Sequence, residues 1–178
     1  RFSQQFGTLP KGYDHKYVYS HFGFNLKVSD MQAAVGVAQL EKFPSFVEKR
    51  KENQKKLYDG LKDVKALHLV ETQPNSDPSW FGFMMTLKDG VNFTRNELVE
   101  YLEKNKIQTR NLFAGNMTRH PMFDSMVLDT DYRIVGELAV TDKIMNDSFW
   151  IGLYPGMSDD AICYMIKTIR EFIQSERI

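Results

Sequence analysis

Cysteine is nearly absent: the chain of 178 residues has only Cys163. One thiol closes no internal disulfide and cannot alone ligate a structural zinc or an iron–sulfur cluster. Such usage points to a reducing, cytoplasmic compartment. Net charge is lacking too, since 23 Lys and Arg balance 23 Asp and Glu. That balance leaves no electrostatic footprint for nucleic acid or an anionic membrane. No apolar run approaches the roughly 20 residues of a membrane span, and no signal peptide is evident. The four histidines, His15, His21, His68 and His120, have no metal-ligand spacing, so no metal site is expected. There is no Gly-x-Ser-x-Gly elbow, no Gly-rich phosphate loop, no internal repeat and no low-complexity tract.

What is present concentrates first between residues 17 and 40. Ser29 and Gln32 have capping-box spacing, the hydroxyl accepting from one orphan N–H while the amide reaches back to another. Behind them Met31, Ala34, Val35 and Ala38 recur at i, i+3, i+4 and i+7, one apolar face of a helix. Ala33, Ala34, Gly36 and Ala38 allow a neighbouring backbone to come close, so this helix is expected to be buried. Ahead of the cap, Tyr17, Tyr19, Ser20, His21, Phe22, Phe24, Asn25 and Lys27 crowd together. This mixture reads either as a binding loop beside the helix or as an aromatic segment covering a core.

Further along, Pro44 cannot donate to residue 40 and is expected to kink or break the helix. Ser45 and Glu48 then supply a second capping box, with Val47, Gln54, Leu57, Tyr58 and Leu61 on one face. The run Glu48-Lys49-Arg50-Lys51-Glu52 interleaves acids and bases at helical spacing, a solvated face rather than a basic patch. Residues 66–70 form a short apolar strand candidate. Residues 80–87 alternate Phe81, Phe83, Met85 and Leu87 against Gly82, Met84 and Thr86, a half-buried strand. Thr94 and Glu97 open a helix to about Lys104 with Leu98, Tyr101 and Leu102 inward. Residues 107–112 are β-like, and 115–142 are mostly irregular with a helix near 132–138. Residues 148–153 form a second aromatic strand, stopped by Pro155 and Gly156. Ser158 caps a last helix with Ile162, Ile166, Ile169 and Ile173 on one stripe, and Asp159 and Asp160 suit its dipole. Cys163 within it has a quiet packing or surface role. The order implies an α+β domain, a short antiparallel sheet with helices on one face. Within the irregular part Asn116, Thr118, Arg119 and His120 follow Gly115, as in a binding loop. Arg119's planar fork suits an anion such as pyrophosphate, or a surface ion pair.

Four stretches carry a resemblance: Gly-Tyr-Asp-His-Lys at 12–16; residues 19–39, with Gly-Phe-Asn-Leu-Lys and Asp-Met-Gln-Ala-Ala; Asn-Leu-Phe-Ala-Gly-Asn-Met-Thr-Arg-His-Pro at 111–121; and Met-Asn-Asp-Ser-Phe-Trp-Ile-Gly-Leu-Tyr-Pro-Gly at 145–156. They resemble the DegT/DnrJ/EryC/StrS family of vitamin-B6 enzymes, nucleotide-sugar aminotransferases and dehydratases of fold type I. Within it the likeness is to 3-dehydratases that remove the C3 hydroxyl of CDP-4-dehydro-6-deoxyglucose, toward the 3,6-dideoxyhexoses of lipopolysaccharide. The resemblance implies the small C-terminal domain of fold type I over 29–178. A long interface helix and a cofactor and interface segment, 1–28, would precede its sheet. The chain opens on Arg1 and family members are more than twice as long, so a C-terminal piece of a larger enzyme is expected.

The implied cofactor is pyridoxamine or pyridoxal phosphate, whose conjugated ring stabilises charge as the C3 hydroxyl leaves. By position Asn25 would meet its phosphate across a homodimer interface; a turn-forming role after Gly23 is the alternative. Lys27 stands where many relatives have Arg and would assist as a flexible point charge. Tyr17 and His21 would approach the sugar or the cofactor ring, or simply pack. Arg119, with Asn116, would bind the CDP-hexose substrate. The Lys or His of the catalytic position would lie upstream of Arg1, so no catalytic residue is assigned and the chain alone is expected to be inactive. The iron–sulfur branch of the family would hold its [2Fe-2S] ligands upstream as well and draw electrons from a reductase. A sugar aminotransferase, or a non-catalytic binding and dimerisation module, stands as the alternative.

Overall fold

The computed structural model describes residues 7–11, 14, 17–19, 21–24 and 26–176. They divide into two compact units, Arg1–Glu41 and Lys42–Ile178. Helix α1 spans Asp30–Leu61. Its start follows the capping-box reading: Ser29 N donates to Gln32 Oε1 at 2.9 Å, and Gln32 N to Ser29 Oγ at 3.4 Å.

Two expectations for this helix are corrected. It continues through Pro44, and Ser45 is not an N-cap, because its hydroxyl donates back to Lys42 O at 2.7 Å. Proline deletes only the bond to the Leu40 carbonyl. Residues 30–46 are all exposed, so water can satisfy that carbonyl while the adjoining turns hold. The expected burial is missing for the same stretch: Met31 is 80% exposed, Val35 64% and Leu40 70%. Small residues permit a close neighbour, but the described residues supply none.

In the second unit, the later turns of α1 bury Asn53, Leu57 and Leu61. The sheet comprises β1 (Leu67–Leu69), β2 (Gly82–Leu87), β3 (Thr109–Asn111) and β4 (Ser148–Gly152). Its order is β1-β2-β4-β3 with every pair antiparallel, and Phe83 lies opposite Ile151 and Met85 opposite Phe149. Period-two alternation sends Leu67, Leu69, Phe83, Met85, Phe149 and Ile151 into one core. That core is completed by Leu57 and Leu61 of α1, Leu98 and Leu102 of α2 (Arg95–Lys104), and Ile162, Ile169 and Ile173 of α4 (Asp159–Ser175). Each such side chain fully buried contributes roughly 1.5–3 kcal/mol. The fold is therefore α+β, with an antiparallel sheet and helices α1, α2 and α4 closing its apolar face.

The caps explain where α2 and α4 begin. Thr94 N donates to Glu97 Oε2 at 2.6 Å and Glu97 N to Thr94 Oγ1 at 3.3 Å; Ala161 N donates to Ser158 Oγ at 3.2 Å. Cys163 is exposed on α4. The helix expected near 132–138 is not formed. Gly136 takes φ +72°, off the right-handed path, and helix α3 instead spans Ala139–Asp147. Leu138 at its N-cap makes no side-chain cap bond, so the usual start signal is missing. The far end is held from elsewhere: Arg95 Nε donates to Asn146 O at 3.1 Å. Among the described residues no helix is long and apolar enough to cross a membrane.

Candidate functional site

The loop after β3 is shaped by two left-handed residues, Phe113 at φ +48° and Gly115 at φ +62°. Glycine is required at 115 on a second count. A Cβ there would lie 2.6 Å from Met145 Cγ, so only glycine lets the loop close against α3. Asn116 follows, 2% exposed, and caps a 3-10 turn at Met117–Arg119. Its Oδ1 accepts from Thr118 N at 3.1 Å and Thr118 Oγ1 at 2.7 Å, while its Nδ2 donates to Asp142 Oδ1 at 2.6 Å. Arg119 grips the same carboxylate, Nε to Oδ1 at 3.3 Å and Nη2 to Oδ2 at 2.8 Å. Asp142 lies in the first turn of α3, so one carboxylate fastens the loop to the helix. His120 Nε2 is 2.6 Å from Ala114 O; a carbonyl only accepts, so that nitrogen carries the hydrogen.

Charge follows from this geometry. The Arg119 guanidinium, and after it the Asn116 amide, hold the Asp142 carboxyl below its ordinary value of 3.8. Asp142 in turn raises the already high value of Arg119. Both stay ionised near neutrality. Arg119 is 63% exposed and lines an open cleft of about 400 Å³ with Tyr132, Ile134, Glu137 and Leu138. Its Nη1 has no protein partner among the described residues. One edge of the fork is thus fixed by Asp142 and the other is available to an anionic oxygen.

The structure brings Asn116 and Arg119 together around Asp142. Asn116, expected at the substrate, has its carbonyl engaged by Thr118 of the loop and its amide by Asp142 of α3, whereas Arg119 has donors to spare. In the unit Arg1–Glu41, Tyr17 is 61% exposed with its N–H donating to Asp14 O at 3.0 Å, and His21 and Lys27 are exposed. Lys27 stands two residues ahead of the Ser29 cap. Asn25 lies outside the described residues. Sequence reasoning missed Asp142, because the helix that carries it has no cap signature. An acidic residue in a first turn is a usable signal only once the helix start is known.

Residues 2–170 match the model of the DegT/DnrJ/EryC1/StrS aminotransferase family. The chain belongs to that family. Among DegT/DnrJ/EryC1/StrS relatives it is 53% identical over 173 residues to the lipopolysaccharide biosynthesis protein RfbH of Salmonella typhimurium, covering 97% of this chain and 39% of that one. To dTDP-4-dehydro-2,6-dideoxy-D-glucose 3-dehydratase of Saccharopolyspora spinosa it is 46% identical over 173 residues, covering 97% and 37%. In structure it is similar to the E. coli GDP-4-keto-6-deoxy-D-mannose-3-dehydratase with bound hydrated PLP, at TM-score 0.72 and 24% identity over 88% of this chain and 39% of that one. This last likeness establishes the family fold. The chain spans about 39% of the length of the Salmonella relative.

Proposed function

We propose that this chain is part of a nucleotide-sugar 3-dehydratase. It would use pyridoxamine phosphate to remove the C3 hydroxyl of CDP-4-dehydro-6-deoxyglucose, toward the dideoxyhexoses of lipopolysaccharide. The observation that carries this reading is 46% identity to a 3-dehydratase across 97% of the chain. The 53% identity to a lipopolysaccharide protein supports the pathway class. When bound, the cofactor supplies a conjugated ring that stabilises charge as a hydroxyl beside a sugar ketone leaves.

The residues of this chain fit the phosphate end of such a cofactor and the anionic part of such a substrate. Lys27 is an exposed ammonium close to the N-terminus of α1, where donors and the helix dipole favour an anion. Asn25, two residues earlier, is the second proposed phosphate ligand, reached across a homodimer interface. Arg119 binds the pyrophosphate through its outward N–H groups, with Asp142 and Asn116 fixing its plane. Tyr17 and His21 bound the sugar side. No residue here is assigned the proton-transfer step, and the [2Fe-2S] cluster and its reductase belong to the same proposal outside this chain.

The test uses the full-length protein of the parent gene. With CDP-4-dehydro-6-deoxyglucose, pyridoxamine phosphate and a reductase it forms the 3-deoxy product, while the 178-residue chain alone forms none. An amino sugar in place of the deoxy sugar would make the protein an aminotransferase. Independently of turnover, Asn25→Ala in the full-length protein lowers cofactor retention on gel filtration, read by cofactor absorbance. Unchanged retention removes Asn25 from the site.

A further inference from the structure

The face of the sheet opposite the core carries a second concavity, which the loop at 113–119 does not account for. It is a cleft of about 230 Å³ whose walls include Trp80, Phe81, Met84, Phe113 and Trp150, with the Gln54 side chain of α1 at its margin. That volume accommodates a single planar ring system and excludes a helix. The walls are set in place by contacts that do not depend on a ligand. Trp150 Nε1 donates to Asn111 O at 3.1 Å, and Phe81 meets the Trp150 ring edge-on at 5.3 Å and 84°. A Cβ at residue 82 would lie 2.6 Å from Trp150 Cε3, so Gly82 is what lets the indole lie down on β2. Phe113 adopts φ +48° and leaves its ring 74% exposed.

One polar feature turns this from an apolar gap into a site with a preferred chemistry. Gln54 Oε1 is buried and has no hydrogen-bond partner among the described residues. A buried acceptor left unpaired costs stability, and a ligand N–H restores the bond. A carboxamide offers an acceptor beside a donor, the complement of a nucleobase edge, where the two also alternate.

We infer that this cleft is a stacking subsite for the nucleobase of a nucleotide sugar, with aromatic walls taking its faces and the Gln54 carboxamide its polar edge. The inference rests on the proposed reading of the chain as part of a nucleotide-sugar enzyme and deepens it. The carboxamide fits any base that places a donor beside an acceptor, so the subsite recognises the base as a class and does not choose among bases. Stacking on aromatic side chains has that same tolerance.

Trp80 and Trp150 are the two tryptophans of the chain and both line the cleft, so intrinsic fluorescence reports on it directly. Titrating the 178-residue chain with CDP gives saturable quenching, cytidine quenches as well, and inorganic pyrophosphate does not quench. Phe113→Ala, at an exposed ring, weakens the CDP constant about 10-fold, and Gln54→Leu weakens it by a similar factor. Absence of saturable quenching by any of CDP, GDP and dTDP at millimolar concentration overturns the inference. So does quenching that both variants leave unchanged. In the full-length protein the same titration must still quench; tryptophans already shielded from nucleotide would mean that polypeptide fills the cleft. If the full-length enzyme dehydrates its sugar while Phe113→Ala and Gln54→Leu retain nucleotide affinity, the subsite is wrong and the dehydratase reading stands.

Discussion

At Arg119 the guanidinium commits Nε and one Nη2 hydrogen to Asp142 and keeps its remaining donors for solvent or ligand. On the proposed reading, Arg119→Ala in the full-length protein is expected to raise KM for the nucleotide sugar about 10-fold with little change in kcat. Steady-state kinetics decide it; a fall in kcat at constant KM would place the group at the reacting centre instead. Asp142→Asn keeps the shape but loosens the fork, so it raises KM less than Arg119→Ala. The same carboxylate makes stability depend on acid. Its folded pKa lies below the ordinary 3.8, so its contribution is complete above pH 3.8 and disappears as pH falls through the folded value. Melting temperatures of the chain and of Asp142→Asn should therefore differ at neutral pH and converge in strong acid. Gly115→Ala meets both a left-handed backbone and the Met145 side chain, and is expected to cost about 1–3 kcal/mol in denaturant unfolding.

Helix ends and interruptions give their own comparisons. Thr94→Ala removes the hydroxyl half of a formed capping box, the acceptor for Glu97 N, and leaves the Thr94 backbone N–H on the Glu97 carboxylate; it should destabilise the chain by about 1 kcal/mol in a urea titration. Ser45→Ala, at a position with the same sequence signature but inside α1, should change stability by less than about 0.5 kcal/mol. Equal losses at the two positions would mean that α1 does end near Pro44. Pro44→Ala supplies the missing N–H to the Leu40 carbonyl, and hydrogen exchange of the amides around it should slow. Capping motifs were legible in the sequence where they begin a helix, because Ser29, Thr94 and Ser158 act within three residues of themselves. The motif at Ser45 misled because spacing alone does not record that the preceding turn is already helical.

For the molecule as a whole, the first half of α1 leaves Met31, Val35 and Leu40 in water. Met31 and Val35 share one side of the helix and Leu40 lies on the other; apolar surface of this extent calls for a cover, and the proposed homodimer of the full-length enzyme would supply one. Val35→Glu combined with Leu40→Glu is expected to shift the full-length protein from dimer to monomer in sedimentation. An unchanged dimer would assign that surface to another part of the polypeptide.

The antiparallel α+β class, most elements of the sheet and the faces of α2 and α4 were written in the sequence. Alternation at residues 82–87 and a stripe of isoleucines on α4 are local periodicities that survive any tertiary context. The family was legible too, through motifs spread along the chain. What only the tertiary structure decided is which groups meet. Asp142 reaches Asn116 and Arg119 across 26 and 23 residues, from a helix that has no cap to announce it. Gln54 and the two tryptophans share one cleft for the same reason. Local patterns fix where a side chain points within its own element, and only packing between elements fixes what it faces.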